Sequence, residues 1–543
     1  MAWTNKGLAH RPVVMGRRGA CASAHYLATL AGQRMLMQGG NAVDAVVAIA
    51  AALNVVEPYM SGAGGVGYMF IYDAKSKKRI VLDYNGRSPY AAELSKYTHE
   101  DDKQKGILSP LIPGALGGWL TALEKYGTMD RATVFQPAIE YAEGGFPLSI
   151  NNERFFKNGE ANLLTWKTSA EQYAPGGSTP KAGAILKQPN LARTFRVIVE
   201  GGMEAFYKGE IGKEIVRFSQ ENGGLIVQKD LDDYAPEWVE PIGVNYRGYD
   251  VYCPPPPCSG IQYLQTLNIV EGFDMAGMGH NSAQYIHHLA EAMKLAVADR
   301  AEYAPAPNPP TEGLLTKEYA AHRRSLINPH TAGVAGGDRY TSKKRQDEIL
   351  AGDPYAMKQS TTHFDAVDEQ GNAVSVTQTL GGTFGSGVVF GSTGLALNNF
   401  TYWMDMDPES PNAIGPHKRV EQCLAPAQVW KDGKLFMVIG TPGSFGIMET
   451  TPQMMLNIMD HGMSIQAAIE APRFRTATGT ELPMEGRIPA DVRAELEKLG
   501  HDVQVMDDWT MFVGGGQGVM VDPESGALMG GADPRRDGYA MAW

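Results

Sequence analysis

The chain has 543 residues, 43% apolar and 20% charged, and its 48 basic against 60 acidic side chains give a formal net charge of −12. That balance, with no Lys/Arg-rich cluster, excludes a phosphate-backbone footprint, so nucleic acid is not an expected partner. No charge block or low-complexity tract marks a disordered arm.

Residues 1–25 contain no continuous apolar core, so no secretory signal is read and the protein is expected in the cytoplasm. Residues 24–37 read as a helix stopped by Gly39-Gly40, and Asn41 with Asp44 signals the cap of a second. That second helix, over 42–56, is the most apolar stretch, yet it is too short to span a membrane and carries Asp44 and Asn54. A glycine run, Gly62 to Gly67, leads into a strand pair over 68–72 and 79–84. The run spells no complete phosphate-binding loop, and close backbone packing explains it more simply.

Helices are expected at 115–126, 134–143, 211–222 and 282–302, so the middle of the chain reads as mostly helical. Residues 308–360 are rich in Pro, Lys and Asp with weak periodicity, which suits an exposed connection. Beyond it the texture becomes β: 363–368 and 373–380 alternate around a turn containing Gly371, and a second hairpin joins 427–430 to 435–439. The four cysteines, Cys21, Cys253, Cys258 and Cys423, have neither redox nor zinc spacing and read as free thiols. No internal repeat is found.

The run Ser360-Thr361-Thr362-His363-Phe364-Asp365 followed by Gly371-Asn372-Ala373-Val374-Ser375-Val376-Thr377-Gln378-Thr379 resembles the γ-glutamyltransferase family around its processing site. Flanking segments agree in order along essentially the whole chain, from GGNAVDAVVAIAAALNVVEP to GGADPRRDGYA. The resemblance implies one structural domain over 1–543, built as a four-layer αββα sandwich; periodicity by itself indicates only mixed α/β. It also implies cleavage between Ser360 and Thr361 into chains 1–360 and 361–543, which stay together as a heterodimer, with a dimer of these heterodimers an open possibility.

A threonine hydroxyl needs a base, and the free N-terminal amine of the same residue can supply one, its ordinary pKa of about 7.7 to 8.0 leaving an appreciable unprotonated fraction near neutrality. By the same resemblance Thr361 is the nucleophile, Thr379 orients its amine, and Gly443-Ser444 supply two backbone N–H groups for an oxyanion. Arg87 is the candidate grip for a substrate carboxylate, although transferases of the family carry their arginine two positions earlier.

The substrate-reading positions depart from the family's transferases. Gly381 stands where they have asparagine, Phe400 where they have glutamine or glutamate, Trp403 where an aspartate binds the donor's α-amino group, and Gln422-Cys423 where they have a serine pair. Replacing that aspartate by an indole removes a charge partner, so an amide substrate other than a standard γ-glutamyl compound is expected, with Phe400 and Trp403 lining the acyl pocket. A true γ-glutamyltransferase and a non-catalytic scaffold relative are the alternatives. A serine hydrolase is set aside because the nearest G-x-S-x-G candidate has Pro442 in place of the first glycine, and no cofactor or metal is expected, since 286–291 is not H-E-x-x-H.

Overall fold

The computed structural model describes residues 9–333, 360–476 and 479–543. The helix Tyr26–Met37 starts at His25, whose ring nitrogen accepts from the Leu27 N–H at 3.2 Å. Helix Ala42–Val56 opens on the anticipated reciprocal cap: Asn41 accepts from the N–H groups of Val43 and Asp44, and Asp44 accepts from that of Asn41 at 2.8 Å. Every residue of this helix is buried, so its polar side chains must find partners. Asn54 accepts from the Ala63 N–H at 2.9 Å, and Asp44 from those of Thr128 and Met129 at 2.9 and 3.1 Å.

Two seven-stranded sheets, antiparallel at every pairing, form the centre. One runs in the order Val14–Gly16, Leu528–Ala532, Gln517–Val521, Lys434–Gly440, Ala427–Lys431, Tyr249–Cys253, Ile242–Tyr246. The other runs Tyr539–Ala542, Gly19–Ser23, Ser360–Asp368, Ala373–Gly381, Val66–Asp73, Lys78–Asp83, Glu237–Val239. They meet face to face through a small cluster of Ala20, Val367, Ala373, Val438, Val519 and Leu528, and Gln428 reaches across to the Phe70 carbonyl at 3.1 Å. Tyr26–Met37 and Ala42–Val56 cover the outer face of the second sheet, while Ile261–Val270, Ala283–Tyr303 and Ile447–Met459 cover that of the first. The four-layer αββα sandwich is therefore the fold.

One correction concerns the middle of the chain. Strands Glu237–Val239, Ile242–Tyr246 and Tyr249–Cys253 interrupt the helices expected there. The last two form a hairpin through Arg247 and Gly248, both at positive φ (49° and 85°), a two-residue turn whose twist matches the flanking strands. In the stretch read as an exposed connection, Thr311–Leu314 and Lys317–Arg324 are short helices, and 334–359 lies outside the described residues. The glycine run does serve close packing: a Cβ on Gly64 would stand 2.3 Å from the Ala396 carbonyl oxygen, and one on Gly65 2.5 Å from that of Thr379. All four cysteines are free and buried. Among the described residues, no helix is long and apolar enough to cross a membrane.

Candidate active site

Thr361 lies one residue into the strand Ser360–Asp368, in the middle of the second sheet, and is only 3% exposed. Strand alternation sends Phe364 and Ala366 into the helical layer, and Val367 into the space between the sheets. His363 also faces inward, for a Cβ on Gly440 of the opposite sheet would stand 2.4 Å from its ring. The neighbouring strand continues this polar inner stripe: the His363 Nδ1 is 2.8 Å from the Thr377 hydroxyl, and its Nε2 is 2.9 Å from Asp365.

At Thr361 the ladder breaks. Ser360 pairs with Gly381 and Thr362 with Gln378, so two residues, Thr379 and Leu380, oppose one. This bulge re-aims the strand end next to Thr379. The Thr379 hydroxyl oxygen accepts from the Gly381 N–H at 2.7 Å, an acceptor role that leaves the hydroxyl proton for a second partner.

The Gly443-Ser444 loop follows directly on the strand that faces His363. Gly443 has φ 137° and ψ 31°, Ser444 has φ 55°, and a one-turn 3-10 helix, Ser444–Gly446, follows. The Gly515 N–H donates to the Thr441 hydroxyl at 2.9 Å, and a Cβ on Gly515 would stand 2.7 Å from Cδ of Arg536. Arg536 in turn donates through Nη1 to the Thr361 carbonyl at 3.1 Å, closing a chain of contacts from the loop to the threonine. Two buried arginines brace the loop: Arg300, paired with Glu421, lies 4.0 Å over the Phe445 ring, and Arg475, paired with Glu449 at 3.5 Å, lies beneath Gly446.

The aromatic candidates divide. Phe400 is fully buried in the core, whereas Trp403 is half-buried and meets Phe445 of the loop edge-on at 5.1 Å. The Trp403 Nε1 has no protein acceptor among the described residues. Cys423 hydrogen-bonds Ser444, and burial pushes its thiol up to about 12, so it stays protonated. Gln422 donates to the Tyr68 hydroxyl at 3.3 Å. Arg87 stands apart from the expectation. Its guanidinium donates to Glu237 at 3.0 Å, and Arg419 shares the same carboxylate at 2.6 Å, so its charge already has a protein partner where a substrate carboxylate was anticipated.

Sequence reasoning missed Glu57 and Arg536. Glu57 is 2% exposed at the C-terminal end of an all-buried helix and accepts from the Thr362 hydroxyl at 3.3 Å. Burial raises its carboxyl from 4.5 to about 7, with Arg536 opposing and Asp537 adding to the rise. Because the folded pKa is raised, Glu57 holds its proton through the window from 4.5 to 7, and its contribution to stability is lost as pH climbs through that window. In a Thr361→Ala background, which keeps one chain, urea unfolding at pH 5 and pH 8 should show a loss on the order of 3 kcal/mol that a Glu57→Gln variant lacks. An equal pH dependence in both proteins would show that Glu57 does not titrate there.

One group of potential metal ligands lies close together among the described residues: His287, Glu291 and His501, with donor atoms within 4.8 Å. Those atoms are already engaged. His287 bonds His501 and the Asn328 carbonyl, both at 2.8 Å, and Glu291 takes Lys294 at 2.8 Å and the Gly333 N–H at 3.0 Å. The Lys294 ammonium fills the electrostatic place of a cation.

Two facing antiparallel sheets between helical layers are the fold of the N-terminal-nucleophile hydrolase class. The cephalosporin acylase of Bacillus halodurans superposes with a TM-score of 0.90 at 33% identity, covering 98% of this chain and 97% of that one. The family model for gamma-glutamyltranspeptidase matches residues 28–543, and the chain belongs to that family of enzymes. It is 36% identical to the acylase ACY 1 proenzyme of Pseudomonas sp. (strain V22), over 97% of this chain and 94% of the relative. It is also 37% identical to the glutathione hydrolase proenzyme of Escherichia coli (strain K12), over 96% and 91%.

Proposed function

We propose that this enzyme is made as a precursor, cleaves its own Ser360-Thr361 bond, and then hydrolyses an amide through an acyl ester on Thr361. The observation that carries this reading is the bulge, where Thr361 stands opposite Thr379 at the head of a central strand, in contact through Arg536 and Gly515 with Thr441, which precedes the Gly443-Ser444 loop. In maturation the Thr361 hydroxyl attacks the Ser360 carbonyl carbon, the peptide nitrogen leaves as the amine, and water hydrolyses the resulting ester. Chains 1–360 and 361–543 remain interleaved, because the new N-terminal strand pairs with Gly19–Ser23 of the larger chain.

In turnover the freed amine accepts the hydroxyl proton while Oγ attacks the substrate carbonyl. The N–H groups of Gly443 and Ser444 stabilise the oxyanion, the amine product leaves with the proton, and water releases the acid. Hydrolysis is favoured over transfer because no acceptor subsite resembling that of the family's transferases is legible.

The acyl group is proposed to be apolar or aromatic, since the half-buried Trp403 occupies the place of an ammonium-binding aspartate. The relative named glutathione hydrolase favours the γ-glutamyl reading instead. A comparison of γ-glutamyl, glutaryl and phenylacetyl p-nitroanilides separates them. The expected result is a kcat/KM at least tenfold higher for an acyl group lacking the α-amino group; a preference for the γ-glutamyl compound would overturn the pocket assignment.

A further inference from the structure

We propose that Glu57 and Arg536, which lie on opposite sides of the cleavage point in the sequence, are positioning residues that anchor Thr361 and so set the rates of both maturation and turnover. This rests on the reading of Thr361 as nucleophile. The need for such anchors follows from the sheet. Strand residues are normally held by regular one-to-one ladder pairing, and at the bulge that regularity is lost opposite Thr361, which faces both Thr379 and Leu380. Breaking the Ser360-Thr361 bond also detaches the paired residue on its N-terminal side. The Arg536 hydrogen bond to its carbonyl at 3.1 Å then ties down the Thr361 backbone. The next residue is tied by the Thr362 hydroxyl to Glu57 at 3.3 Å.

Both anchors are themselves fixed. Glu57 ends the buried helix Ala42–Val56, and its carbonyl accepts from the Met60 N–H at 2.9 Å. Met60 then touches the bulge from the other side: its carbonyl accepts from the Leu380 N–H at 2.9 Å, and its sulfur receives an Arg536 N–H at 3.4 Å. Arg536 is carried by a loop locked through buried ion pairs, Arg473 with Asp533 at 2.6 Å and Arg535 with Glu485 at 2.6 Å. The Arg536 side chain also packs under Gly515, which hydrogen-bonds the Thr441 hydroxyl. One arginine thus registers the nucleophile against the loop that receives the oxyanion. A planar guanidinium with fixed donor directions suits this task better than an ammonium on a flexible stem, and small displacements at a nucleophile carry large rate penalties.

The test uses the full chain with Arg536→Lys, Arg536→Met, Thr362→Val and Glu57→Gln. Cell-free synthesis followed by denaturing gels yields the cleavage half-time. Labelling with phenylmethanesulfonyl fluoride, read by intact mass of chain 361–543, counts competent sites, so that kcat on the best p-nitroanilide is expressed per labelled site. Arg536→Met is expected to slow cleavage at least tenfold, Arg536→Lys to recover part of that, and Thr362→Val, which is isosteric, to lower kcat per site severalfold with KM within twofold. Glu57→Gln, whose amide oxygen can still accept the Thr362 hydroxyl but whose NH₂ group brings buried donors that no partner awaits, should lower kcat per site less than Thr362→Val does. A merely structural role would reduce the number of labelled sites and leave the rate per site intact. The inference is overturned if the wild type cleaves and every variant matches it in half-time and in rate per site. An uncut wild type would instead remove the proposed function itself, and this inference with it.

Discussion

Thr361→Ala protein is expected to persist as a single 543-residue chain under conditions where the wild type resolves completely into 1–360 and 361–543. The substitution removes only the hydroxyl and one methyl group at a buried position, so the fold should survive. Cleavage should not, because no other group is proposed to attack the Ser360 carbonyl. Thr361→Ser retains a hydroxyl and should cleave, more slowly, since serine lacks the γ-methyl that restricts χ1 in threonine. Denaturing gels with intact-mass and N-terminal analysis read the result. Cleavage in the alanine variant, or a new N-terminus elsewhere than Thr361, would rule out the self-processing assignment; a wild type that stays uncut would revive a scaffold role.

The second large effect is expected at Gly443. Its φ of 137° with ψ of 31° is a conformation that L residues rarely adopt. Space is not the obstacle, for an added Cβ would come no nearer than 3.5 Å to the Gly514 Cα. In Gly443→Ala the backbone must either bear strain of about 1 to 3 kcal/mol or rotate. Rotation turns the N–H groups of residues 443 and 444 away from the oxyanion position. Loss of one such donor typically costs about 10² to 10³ in kcat. Ser444→Ala, which keeps both N–H groups, should stay within about tenfold of wild type. Rates per labelled site on a p-nitroanilide check both variants. Similar rates for Gly443→Ala and wild type would show that the oxyanion is held elsewhere.

Part of this arrangement is legible in the chain itself. The hairpin that carries Thr361 and Thr379 follows from period-two alternation on either side of a turn containing Gly371, which adopts φ 84°. The roles of those threonines came only from their register within a family resemblance, because β-propensity explains a threonine on a strand equally well. The hairpin of Ile242–Tyr246 and Tyr249–Cys253 illustrates the opposite failure: its alternation and its Arg247-Gly248 turn were present in the sequence, yet short strands between long helical patterns carry a weak periodic signal. The aromatic residues Phe400, Tyr402 and Trp403 could not say which ring packs and which faces a ligand. That depends on Phe445, in a different element of the fold, which meets Trp403 and not Phe400.

The sequence by itself determined the helix with the strong cap at Asn41 and the alternating hairpins around Gly371 and Gly433. These are local properties, fixed by hydrogen-bonding side chains and hydrophobic period within a few residues. Only the tertiary structure decided what surrounds Thr361. Glu57 reaches Thr362 across 305 positions and Arg536 reaches Thr361 across 175, and Arg87 was drawn to Glu237, 150 positions away. Such pairings follow from how two sheets and their helical layers stack, and local propensity carries no record of them.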